Sequence, residues 1–140
     1  MGWLKEMSVS LRFYGDELVP EEVTALIGGD PTVGAKKGSM FTTSAGKSKI
    51  AQTGMWRLQQ ERSVPGDIET QIVDLFAKLT DDLNVWQSLT SRFESDLFCG
   101  LWLDGFNSGQ SLDARTIALI SDRSLKLDLD IYGDPKQDID

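Results

Sequence analysis

The chain has 140 residues, 14 Lys+Arg against 22 Asp+Glu, a formal net charge of −8, no histidine and one cysteine, Cys99. That balance argues against nucleic-acid backbones and anionic membranes as partners, and the absent histidine removes the commonest proton shuttle and metal ligand. The length suits one domain over 1–140, able to hide roughly two-thirds of its unfolded surface without disulfide or metal support.

Met1 to Met7 has no apolar stretch long enough for a secretion signal, and no segment reaches the roughly 20 apolar residues of a membrane helix. A cytoplasmic protein with residues 1–7 frayed is expected. Val9, Leu11 and Phe13 then alternate with Ser10, Arg12 and Tyr14, the period of a half-buried strand ending near Gly15. Pro20-Glu21-Glu22 presets a helix start, Val23, Leu26 and Ile27 give its apolar face, and Gly28-Gly29 stops it. Residues 31–49, rich in Gly, Ser, Thr and Lys, predict a long loop or ragged hairpin. An extended pattern returns from Ile50 to about Gln60, expected to pair with the first strand.

Asp67 is placed to cap a helix whose stripe is Ile68, Ile72, Leu75, Phe76 and Leu79. Thr80 is placed to start a second helix, with Asp81 and Asp82 in its first turn and Leu83, Trp86, Leu89 and Phe93 buried. Leu97 to Leu103 is apolar on both faces and predicts a central strand. A turn follows at 105–109, then a short helix capped by Ser111 that carries Leu112, Ile117 and Ile120. A last strand alternates Leu125, Leu127, Leu129 and Ile131 against Lys126, Asp128, Asp130 and Tyr132, before a 134–140 tail. The order implies an α+β single-domain sandwich: an antiparallel or mixed sheet of about four to six strands with helices mainly on one face. Leu18, Val23 and Leu26 match Leu112, Ile117 and Ile120 in spacing, which allows two strand-helix-strand halves.

Leu18 to Gly28, Asp30-Pro31-Thr32, Lys37-Gly38, Gly54-Met55-Trp56 and Leu127 to Tyr132 together resemble the bacterial family named domain of unknown function 4279. The resemblance spans nearly the whole chain. It implies one domain in a bacterial cytoplasm and carries over no activity, cofactor or catalytic residue.

Ala45-Gly46-Lys47-Ser48 imitates the end of a phosphate-binding loop, but Phe41 stands where the pattern needs glycine, so a flexible loop is the better account. Asp128 to Asp134 imitates a calcium loop, yet Tyr132 occupies a ligand position and the leucine alternation demands a strand. The pairs Glu21-Glu22, Asp81-Asp82 and Asp128/Asp130 read as helix-start or solvated carboxylates. Cys99, flanked by Phe98 and Leu101, reads as an inert core residue. Trp3 has no partner in the pattern and leaves monomer or homodimer open. No catalytic residue, metal ligand or cofactor is assigned.

Residues 31–60 contain Lys36, Lys37, Lys47, Lys49 and Arg57 and no acid, leaving 9 basic and 22 acidic residues elsewhere. The acidic remainder points to a non-enzymatic, protein-binding module of immunity or accessory type that occludes a basic protein partner. The alternative is a sensor or carrier of a small anionic ligand, held by Lys36, Lys37, Lys47, Lys49 and Arg57 beside Trp56.

Overall fold

The computed structural model describes residues 4–43, 45–62, 67–103 and 109–133. In chain order its elements are β1 (Leu4–Gly15), α1 (Pro20–Ile27), β2 (Val33–Ala35), β3 (Met40–Thr42), β4 (Ser48–Ile50), β5 (Gly54–Gln59), α2 (Ile68–Ala77), α3 (Leu83–Arg92), β6 (Glu94–Leu103), α4 (Ala114–Asp122) and β7 (Lys126–Tyr132). The main sheet has five strands in the order β2-β5-β1-β6-β7, and β3 and β4 form a separate hairpin. Every pairing in the main sheet is antiparallel except β6 with β7, which is parallel. The fold is therefore α+β on a mixed sheet.

Strand alternation sends Met7, Val9, Leu11 and Phe13 of β1 to one side, where all four are fully buried. They share one core with Val23 and Ile27 of α1, Ile72 and Phe76 of α2, Trp86 and Leu89 of α3, and Ile120 of α4. All four helices thus pack on one side of the sheet. Each large side chain buried this way contributes about 1.5–3 kcal/mol. Phe13 meets Trp56 edge-on at 5.8 Å and Phe76 meets Trp86 at 5.8 Å. The two buried indoles keep polar partners, Trp56 Nε1 donating to Thr24 Oγ1 at 3.0 Å and Trp86 Nε1 to the Thr80 carbonyl at 2.8 Å.

Local chemistry sets the helix ends. Pro20 opens α1, and Gly28 closes it at φ 85, a left-handed conformation that lets its N–H return to the Thr24 carbonyl. Carboxylates of Asp67, Asp82 and Asp113 accept from the backbone N–H of Thr70, Asn84 and Thr116 at the starts of α2, α3 and α4.

Several expectations change. The Leu97–Leu103 run lies in an interior strand, β6, flanked by β1 and β7 as its apolar character predicts, while the middle position of the five belongs to β1. Leu4, Glu6 and Met7 are paired with β6 instead of frayed; Trp3, the rest of the 1–3 segment, residues 105–108 of the expected turn and the 134–140 tail lie outside the described residues. The 31–49 stretch contains the start of the expected hairpin, β3 with part of β4, and adds β2, an edge strand of the main sheet, each strand three residues long. Asp82 caps α3 in place of Thr80, because the Thr80 N–H is engaged by the Ile27 carbonyl and its own carbonyl by Trp86; Leu83 is then 39% exposed. Asp113 caps α4 in place of Ser111, and the buried face of that helix is Thr116 and Ile120, leaving Ile117 52% exposed. Leu129 and Ile131 are half-exposed. A helix of 9 residues spans about 13 Å whereas a strand of 7 spans about 23 Å, so α4 covers only the first part of β7. The two strand-helix-strand segments also differ: α4 joins parallel neighbours, while α1 leads from β1 to a strand that is not its neighbour.

Candidate functional site

Among the described residues, no helix packs on the second side of the sheet. Register brings its side chains together: Arg12 lies opposite Arg57 on β5 and Asp96 on β6, Ser10 lies opposite Gln59 and Phe98, Phe98 is beside Asp128, and Trp102 is beside Tyr132.

At one end sits a charge cluster. Arg12 donates from Nε and Nη2 to the two Asp96 oxygens at 2.8 and 2.6 Å, a bidentate pair, with its guanidinium 4.2 Å from the Phe98 ring centre. Asp128 approaches Arg12 at 3.9 Å and Lys126 at 3.6 Å. Burial pushes the Asp96 carboxyl up, but hydrogen bonds from Arg12 and Asp128 outweigh it and hold that group below the usual carboxylate range. Asp128 moves the other way, raised by its hydrogen bond with Asp96 and by burial. The two carboxyls are thus unequal, Asp96 staying ionised while Asp128 keeps its proton to higher pH. They line a groove of about 770 Å³ together with Tyr14, Arg92, Ser124 and Lys126. Ser124 has φ 58, a conformation L residues avoid, and makes the tight turn from α4 into β7.

The other end is aromatic. Trp102 stacks on Tyr132 with ring centres 5.0 Å apart and planes 13° from parallel. Arg62 lies 4.9 Å from the Trp102 ring while pairing with Glu6 at 3.2 Å. Gly100 makes this possible, since a Cβ there would stand 3.1 Å from the indole. The Tyr132 hydroxyl donates to Asp130 at 2.5 Å. The rings and fixed guanidiniums of this surface match the aromatic and arginine enrichment of protein-recognition patches.

The six ligand-binding residues expected from sequence do not form one site. Trp56 is fully buried on the helix side, so its ring packs against Phe13 and is closed to a ligand. Lys37 is paired with Asp16 at 3.1 Å. Lys36 is exposed in the turn after β2, and Lys47 and Lys49 stand on the β3–β4 hairpin. Arg57 alone reaches the uncovered sheet face, where its Nε has no hydrogen-bond partner. The Ala45–Ser48 motif is a hairpin turn: the Gly46 N–H goes to the Thr43 carbonyl and the Lys47 N–H to Thr43 Oγ1, so these donors are already used. Cys99 is buried, and burial pushes its thiol up to about 12. Among the described residues, no group of three or more acidic or cysteine side chains is arranged to hold a metal, and no helix is long and apolar enough to cross a membrane.

Sequence reasoning missed Arg12, Asp96, Phe98 and Trp102. The polar positions of β1 signal the first of these. The Asp96–Asp128 pair depends on a parallel register that no local pattern encodes, whereas the pair visible in sequence, Asp128/Asp130, joins neighbours along one strand.

A family model described as Domain of unknown function (DUF4279) matches residues 5–134 of the chain. No curated protein and no solved structure matches it.

Proposed function

The chain belongs to the DUF4279 family, and from the geometry of its uncovered sheet face we propose that it is a non-enzymatic binding module that docks a basic protein segment there. The observation that carries this reading is one sheet face with Arg12, Asp96 and Asp128 clustered at one end and Trp102 stacked on Tyr132 at the other, the described helices packing on the opposite side. Stacked rings offer rigid contact area at low entropic cost, which is why such residues dominate binding hot spots. Asp128 and Asp130 supply acidic groups along the exposed strand for an arriving lysine or arginine. Asp96 is engaged by Arg12, and Cys99 lies in the core. An immunity or accessory role, in which the module occludes a basic partner, is the cellular form of this reading.

The test is capture from a lysate of the native cells by the wild-type chain and by a Trp102→Ala/Tyr132→Ala variant shown by circular dichroism to be folded. The expected result is a partner held by the wild type, lost by the variant and released as salt rises. Equal retention by both proteins, salt-independent retention, or no partner at all overturns the proposal.

A further inference from the structure

On the helix side, Arg123 at the end of α4 is only 6% exposed. Its guanidinium lies 4.6 Å from the Phe76 ring centre and 5.4 Å from that of Trp86. One donor is used, Nη1 to the Leu119 carbonyl at 3.1 Å, while Nε has no partner. A guanidinium has five N–H donors and keeps its charge, and a buried charge without a counter-ion is costly. Asp81 and Asp122 act on it only through space, and no carboxylate among the described residues lies within ion-pair distance.

Arg123 borders a cleft of about 480 Å³ between α2 and α4. Val73, Phe76 and Leu119 make its walls apolar, Arg115 adds a second cation, and Asp81 stands at the same cleft. A concave apolar pocket with a few convergent polar groups is the ordinary form of a small-molecule site. Two cations favour an anion, the nearby carboxylate disfavours a second negative charge on it, and the walls favour an apolar body. We propose that this cleft binds a small monocarboxylate with an aliphatic or aryl body, its carboxylate held by Arg123 and Arg115.

The probe is hexanoate, titrated into the full chain while the Arg123 Nε–Hε resonance is followed by ¹⁵N NMR and the melting temperature is measured. Hexanol, hexylamine and inorganic phosphate serve as comparisons. The expected result is saturable movement of the Arg123 resonance and a concentration-dependent rise in melting temperature with hexanoate alone. Arg115→Ala, at an exposed position, weakens hexanoate at least tenfold with the fold intact, and Arg123→Lys weakens it further. No resonance movement, equal binding of hexanol or phosphate, or affinity unchanged in Arg115→Ala overturns the proposal.

Discussion

The two sides of the central sheet are held by different physics, although the same strands supply both. Met7, Val9, Leu11 and Phe13 sink into a helix-covered core, while Ser8, Ser10, Arg12 and Tyr14, one residue along, face a surface ordered by ion pairs and stacked rings. On the covered side, stability comes from removing apolar area from water. On the uncovered side, geometry comes from directional contacts between strands distant in sequence. The first side builds the platform, and the second presents what the platform can recognise.

The contrast is sharpest between two tryptophans. Trp86→Ala empties a fully buried site and is expected to cost about 3–5 kcal/mol in urea unfolding. A loss below about 1 kcal/mol breaks the comparison. Asp96→Asn comes next, because it strips the bidentate counter-ion from Arg12 at a half-buried pair; about 2–3 kcal/mol is expected at pH 7. The folded carboxyl is depressed, so its contribution is present above the unfolded value near 3.9 and is lost as pH falls through the lower folded value. Denaturation curves of wild type and Asp96→Asn should therefore converge below about pH 4. Trp102→Ala, on the uncovered side, removes a half-exposed ring and should cost about 1 kcal/mol, measured in the same denaturant series. The smallest effect belongs to Asp128→Asn. A raised folded carboxyl favours folding only at low pH and opposes it once ionised, so this variant should melt no lower than wild type at pH 7. A lower melting temperature would mean that Asp128 stabilises the groove in its charged form.

What was legible in the sequence follows the range of the forces involved. Alternation in β1, the Pro20 and Gly28 boundaries of α1, and the Asp67 cap of α2 are local signals, and each appears where its residues predict. Three-residue strands are too short to show a period, so 31–49 reads as a long loop or ragged hairpin: β3 and β4 form the hairpin, and β2 is the strand that the pattern leaves unread. On α4 the buried Thr116 gains its place through Glu69 of α2, whose carboxylate accepts from the Thr116 hydroxyl at 2.6 Å; hydrophobic spacing alone selects Ile117 instead. The candidate face was the least legible part. Arg57 was identified for its charge, but its neighbours Arg12, Asp96 and Phe98 meet only through cross-strand register. Trp56 illustrates the converse: adjacent to Arg57 in sequence, it points to the other side because successive strand residues alternate.

The middle strand is also translated before its neighbours β5 and β6. Arg12 and Asp96 are 84 residues apart, so the Met7–Phe13 stripe is synthesised long before β6 exists to flank it. At 5–20 residues per second the delay is roughly 4–17 seconds. Through that interval β5 can flank one edge of β1, while the edge that β6 will take stays unpaired. Yield should consequently fall when expression outpaces that pairing, even with the folded protein fully stable.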